Sequence, residues 1–437
     1  MNSSQESIST TIRFHWRFFP LFVIAVLIVN AIRLPVGYKS FWAEDGRLFF
    51  QAALDNSFPL ELMEPRGGYL NLIAMLIGRL LTFVGLAFAP AVNFIITSII
   101  LAFMVFVLYS ISKLFIVTLS LRVVFSLLPL FIPIAGFESL IVSSQLHFFL
   151  PFICLMLIFS EVANSPMPKF LSGLFILLSC LSDPMSVFIL PGLCLAFALQ
   201  RKGNPLLAVF KFRFFLFCIV VQTVFTFLFL DRGGRDFEHS IGYLKTLYLF
   251  FDRVVGSALI PNWGFVNGVE FANESPTRFI LRAFLAIVVL LIVVVIAKLA
   301  ELSAIQHTLI QVLGLSGVIY WVAGSLVFNP EPRYAIFPSM CVVASVLIIV
   351  DALVAVRVPV KFQFPTKIAI MVYFSVLLAF SWEPSTLRSS GVSWERALAN
   401  AQVICRDTGV RMVDVEILPQ IEGWSVNLPC ESVLNVR

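Results

Sequence analysis

The stretch FWAEDGRLFF, Phe41 to Phe50, sets two adjacent carboxylates, Glu44 and Asp45, among aromatic side chains directly after a long apolar run. A carboxylate at a partly desolvated interface is a stronger base than one in water, so either acid could take a proton from a hydroxyl. The pair could also hold a divalent metal, Mg or Mn. After Gly46, the residues Phe49, Phe50, Ala53 and Leu54 recur at helical spacing, which predicts a short amphipathic helix lying along a membrane surface. A purely structural role for the acids is that Asp45 caps this helix and Glu44 complements its dipole.

Other candidates stand at the ends of apolar runs. In FNPEPRYAIFPSM, Phe328 to Met340, Arg333 and Tyr334 precede a long apolar stretch. A guanidinium offers phosphate a rigid fork of donors and desolvates more readily than an ammonium, although an arginine placed here can equally snorkel to lipid head groups. In GFESLIVSSQLHFF, Gly136 to Phe149, the polar residues Glu138, Gln145 and His147 cluster where one run ends and the next begins, a depth at which polar side chains usually face the interior. Arg66, followed by Gly67, Gly68 and Tyr69, and Arg79 about three turns later could draw a lipid phosphate toward a cavity. Asp183, before Pro184, is placed to cap a helix and face the same cavity. The loop from Asp231 to Arg278 carries Arg232, Arg235, Asp236, His239, Trp263 and Asn267 and suits a mobile lid. No zinc spacing, phosphate loop, dinucleotide fingerprint or nucleophile elbow stands in a credible context, which argues against soluble-nucleotide chemistry.

The elements that must position these residues are membrane helices. Of 437 residues, 59% are hydrophobic, 13% are charged and 46 are Phe, with a mean hydropathy of +0.97, values outside the range of a soluble domain. The net charge of +5 sits largely in short connections, where it reports topology and anionic lipid; nothing points to nucleic acid. Arg13, His15 and Arg17 precede an apolar run without a small-x-small cleavage site, so the run is read as an uncleaved first span.

The pattern predicts an all-α polytopic bundle of about eleven spans: 17–34, 91–111, 120–137, 146–161, 170–182, 185–199, 209–230, 280–298, 308–328, 335–356 and 367–382. An N-terminus in the cytoplasm then gathers Lys113, Arg122, Lys169, Arg201, Lys202, Lys298 and Arg357 on the inner side. The stretch Gly67 to Gly85 carries Asn71 and Arg79 and is read as re-entrant; a paired extra crossing would raise the count toward thirteen. Residues 1–382 form the membrane domain, and 383–437 a small extracytoplasmic α/β appendage in which Cys405 and Cys430 could pair.

A first outer loop that opens with adjacent acids immediately after the first span, followed by a horizontal helix, resembles the C-type (GT-C) membrane glycosyltransferases. The likeness covers the layout of most of the first 350 residues, on short motifs. It implies transfer of a sugar from a polyprenyl-phosphate donor to a glycan, glycolipid or protein acceptor at the outer face of a bacterial cytoplasmic membrane. An acid of the first outer loop is the base or a metal ligand in that family, a role that falls on Asp45 or Glu44. Many members show an Asp-Glu order or a spaced pair, so the Glu-Asp order here leaves the division of labour open; of the two, Asp45 is expected to deprotonate the acceptor hydroxyl, assisted by Glu44. The likeness assigns donor phosphate to Arg333 and its neighbour Tyr334, and it implies contact with donor or acceptor at the turn that carries Glu138, Gln145 and His147. Two alternatives use similar substrates: a flippase for lipid-linked sugar, which would concentrate polar residues at the midplane and often carries repeats, and a surface-polysaccharide polymerase or ligase, which usually depends on a large outer loop with Arg and His.

Overall fold

The computed structural model describes residues 16–59, 62, 68–135, 141–162, 168–201, 213–229, 243–260, 276–327, 332–356, 358–380, 391–420 and 423–436. They build a predominantly helical bundle with one two-stranded sheet near the C-terminus. Six helices among them are long and apolar enough to cross a membrane: Trp16–Arg33, Leu86–Ser112, Ser143–Glu161, Ile280–Leu299, Ala304–Leu326 and Pro332–Val356. Lys169–Cys180 and Pro184–Leu199, bent by 118° at their junction, add a seventh if counted as one broken span.

The difference from eleven has physical causes. The run at 120–137 breaks into Leu119–Ser126, Leu128–Phe131 and a turn at Pro133–Ala135, because Pro129 and Pro133 lack the amides a continuous helix needs. Lys169–Cys180 has 12 residues, about 18 Å of helix against roughly 30 Å of hydrocarbon. Pro184 then starts a separate turn. Arg213–Phe229 is a shorter apolar helix, and Val360–Phe380 contains Pro365.

Helix α1 (Phe19–Arg33) runs against α4 (Ala89–Ser112), joined by a bond from Asn30 Nδ2 to Ser98 Oγ of 2.9 Å and by the edge-on rings of Phe22 and Phe106. Pro90 lies in the first turn of α4, where its missing amide leaves no bond unmade. Every residue from Ser143 to Ser160 is buried, so this segment is the axis of the bundle and meets protein on all sides.

Between α1 and α4 the chain forms a π-helical turn, Asp45–Phe50, continued by α2 (Gln51–Asp55), and later α3 (Leu72–Leu81). Phe49, Phe50, Ala52 and Ala53 are buried, whereas Leu54, expected on the apolar face, is exposed. The π-helical winding puts an extra residue into the turn and rotates later side chains away from α-helical spacing. With ten residues, α3 is about 15 Å long and too short to span.

The C-terminal unit consists of the helix Trp394–Thr408, the antiparallel strands β1 (Met412–Glu416) and β2 (Ser425–Pro429), and the helix Cys430–Leu434. Ser393 caps the first helix by accepting from the Arg396 amide, and Gly409 ends it with φ of 61°. Val413, Val415, Val426 and Leu428 are buried on one face of the hairpin. A disulfide joins Cys405 to Cys430 across 25 positions.

Gly78 marks the closest approach of α3 to the π-turn: a Cβ there would stand 2.6 Å from the Phe49 carbonyl oxygen. Gly78→Ala must therefore push backbone apart, and a loss of about 1–3 kcal/mol is expected. A lower midpoint of thermal unfolding in detergent is the measurement; an unchanged midpoint would contradict this packing.

Candidate functional site

Asp45 is 2% exposed. Its Oδ1 accepts from the Ser144 amide at 2.9 Å, and its Oδ2 accepts from the Ser143 amide and from Asn93 Nδ2, both at 2.9 Å. The two amides begin the 3-10 turn Ser143–Phe148. Asp45 is thus a helix cap, but of a helix 98 positions later rather than its own, at whose start no side-chain cap bond forms. Burial pushes its carboxyl above the ordinary aspartate range, while the two backbone amides and Asn93 oppose that shift.

Glu44 has a different setting. Its side chain is 31% exposed, accepts from Gln145 Nε2 at 3.2 Å, and lies 3.9 Å from Arg333 Nη1. Arg333 is equally exposed at 31%, on the turn Pro332–Ala335 that opens the helix Ile336–Val356. An ion pair so long and so open to solvent contributes at most about 1 kcal/mol. An anionic group that offers the guanidinium better geometry can displace the carboxylate.

Packing extends the site inward. Tyr334, beside Arg333, packs edge-on against Phe148 with ring centres 5.4 Å apart. His147 is buried, with Tyr69 edge-on at 6.1 Å. Its Nδ1 lies against the Ser144 carbonyl and 3.3 Å from Asn71 Nδ2. Asn71 Nδ2 donates to the same carbonyl at 3.1 Å, so α3 and the 3-10 turn are fastened at the ring. Asn71 Oδ1, Ser144 Oγ and Gln145 Oε1 are buried without a hydrogen-bond partner. Acceptors left in this state cost about 1–3 kcal/mol each and are relieved by a ligand that brings hydroxyl donors.

Not every expected residue joins this cluster. Asp183 is buried, accepts from the Met185 amide at 2.9 Å and from Tyr320 Oη at 2.8 Å, and caps the turn Pro184–Ile189. It fastens that turn to the helix Ala304–Val327. Arg79 donates to the Ala53 carbonyl at 2.9 Å and lies between Phe58 and Phe83, tying α2 to α3. It stands eight residues beyond Asn71, about 12 Å further along the helix. Arg66, Glu138, Arg232, Arg235, Asp236, His239, Trp263 and Asn267 lie outside the described residues.

A divalent cation does not fit the acids as they stand. Three N–H donors already point at the Asp45 oxygens, and Glu44 faces a guanidinium and an amide N–H. Among the described residues, no three His, Cys, Asp or Glu side chains gather to hold a metal.

Sequence reasoning missed Asn93, whose signal was an amide inside a 24-residue apolar helix. It also missed the ion pair of buried Asp252 with the partly buried Arg282, 3.2 Å apart. Asp252 belongs to a second π-turn, Phe250–Gly256, which packs beside the Arg333 turn and accepts from Ser339 Oγ through the Val254 carbonyl. No family model matches the chain, and no curated protein matches it either.

Asp45→Asn keeps the shape but must turn an N–H2 toward at least one N–H donor, the Ser144 amide, so a loss of about 1–3 kcal/mol is expected from the clash of donors. The pH dependence has a definite sign. With its folded-state pKa raised, Asp45 contributes fully to stability below the ordinary aspartate range and less as pH rises through the raised value. Thermal unfolding across that window should show the decline in the parent protein and its absence in Asp45→Asn; parallel curves would refute it.

Proposed function

We propose that this protein is a membrane glycosyltransferase of the C type. It moves a sugar from a polyprenyl phosphate or pyrophosphate to a hydroxyl of a cell-surface glycan, glycolipid or protein. The reaction takes place at the outer face of a bacterial cytoplasmic membrane, with the N-terminus inside. In this arrangement Arg213–Phe229 and Val360–Phe380 also cross, and the C-terminal unit lies outside.

The observation that carries the proposal is the placing of Glu44 beside Arg333, an accessible carboxylate 3.9 Å from an accessible guanidinium. The burial of Asp45 moves the role of base to Glu44, and Asp45 becomes the residue that holds the loop in place. On donor binding, Arg333 exchanges the Glu44 carboxylate for the donor phosphate, which frees Glu44 for the acceptor. Glu44 then takes the hydroxyl proton as the acceptor oxygen bonds to the anomeric carbon. The bond from that carbon to the phosphate oxygen breaks, and the phosphate leaves with the electron pair, stabilised by Arg333. Gln145 orients Glu44, while Asn71 Oδ1 and Ser144 Oγ offer acceptors to sugar hydroxyls.

Glu44→Gln keeps the bond count but cannot take a proton, so a fall in kcat of about 100-fold or more is expected. Membranes containing the variant would be incubated with radiolabelled polyprenyl-phosphate sugars and the transferred label counted. Transfer within tenfold of the parent would exclude Glu44 as the base. Movement of fluorescent lipid-linked sugar across proteoliposomes without any product would instead favour a flippase.

A further inference from the structure

Residues 39–51, which carry both acids, are gripped from the far end of the chain. The Trp394 amide donates to the Lys39 carbonyl at 2.7 Å, and the Trp394 indole N–H to the Leu86 carbonyl at 2.7 Å. Leu418 donates through its amide to the Phe41 carbonyl at 3.2 Å and accepts at its carbonyl from the Ala43 amide at 2.5 Å, a parallel bridge centred on Trp42. Further along, the Asn427 amide donates to Gln51 Oε1 at 2.7 Å, and the Arg47 guanidinium lies over the Trp424 ring at 5.2 Å. The contacts bracket Glu44 on both sides.

Inside this grip Ala43 has φ of 39°, a left-handed conformation that costs a residue with a Cβ about 1–2 kcal/mol. Such a conformation persists only where surrounding contacts enforce it. The enforcing contact at Ala43 is the bond of its own amide to Leu418. The turn it creates lets Asp45 pass into the interior while Glu44 stays at the rim. The next turn is fitted to the same surface: a Cβ on Gly46 would stand 2.6 Å from Ile417 Cδ1 and 3.1 Å from Val426 Cγ2.

We infer that the C-terminal unit is a positioning element of the Glu44 site, with Leu418 as the residue that sets the Ala43 turn and so the place of Glu44. Its functional meaning rests on the proposed role of Glu44. The inference assigns the unit a task inside the membrane domain's own site, at a separation of more than 370 residues, rather than a separate activity.

Gly391 provides a probe that leaves the loop untouched, because a Cβ there would stand 1.7 Å from Leu418 Cδ2 and so displace Leu418. In the full-length protein, Glu44→Cys would be labelled with a membrane-impermeant maleimide, alone and together with Gly391→Leu. The Cys405–Cys430 disulfide, checked by mass spectrometry, reports that the unit is still folded. Loss of one of the two Leu418 bonds, worth about 1–1.5 kcal/mol, should raise the labelling rate of the new thiol by about tenfold. Ala43→Gly, which removes the left-handed cost while keeping both bonds, should leave the rate as it was. Labelling unchanged by Gly391→Leu with the disulfide intact would overturn the positioning role. Labelling needs no sugar donor, so this result stands apart from whether the protein transfers sugar. If Glu44-dependent transfer is found, Gly391→Leu should lower kcat with little change in KM, and unchanged kcat would again overturn the inference.

Discussion

A buried carboxylate that receives three N–H groups holds the centre of this protein together. Asp45 comes from the loop after α1, Asn93 from α4, and the amides of Ser143 and Ser144 from the start of the axial segment. The energetics run in two directions. Away from water an ionised carboxylate is costly, and so are the unpaired amides at a helix start; joined, each offsets part of the other's penalty. Because the Ser143–Phe148 turn carries Gln145 and His147, the bond also fixes what stands beside Glu44.

The same solution recurs in the bundle. Asp351, wholly buried on the helix Ile336–Val356, accepts the Val117 and Thr118 amides where Leu119–Ser126 begins, whereas Asp183 caps its own turn. In a water-poor interior, a helix start that lacks a partner costs several kcal/mol. An aspartate from a neighbouring segment satisfies the amides and locks two elements at once, so each bend in the bundle becomes a joint. Arg33 does the converse, donating to the Leu130 carbonyl near the end of Leu128–Phe131.

Local chemistry was readable in the sequence, and long-range partnership was not. Adjacent acids after the first apolar run, an arginine before another, Gln145 and His147 at a span boundary, and two cysteines in a polar tail are signals of residue type and place. Three of these residues, Glu44, Arg333 and Gln145, do come together, and His147 lies buried two positions along the turn that carries Gln145. Which acid stays accessible could not be read, because it depends on amides 98 and 99 positions away that leave no mark on neighbouring residues. The count of spans failed for a related reason. Hydropathy measures apolarity along a run, whereas Pro129, Pro133 and Pro184 decide whether the run stays one helix. Phe49 and Phe50 point into the core as expected, and Leu54 does not, because a π-helical turn changes the angular step between residues.

The grip of Leu418 on Phe41 and Ala43 has a consequence for biogenesis. During synthesis the chain emerges from its N-terminal side, so α1 and the acidic loop reach the membrane while the residues that complete the loop are still untranslated. Until the hairpin folds against it, the Ala43 turn has lost the bond that offsets its backbone cost. A nascent chain can insert its first helices and yet hold the acidic loop without the Leu418 bond, so the loop is finished only once the hairpin has been made.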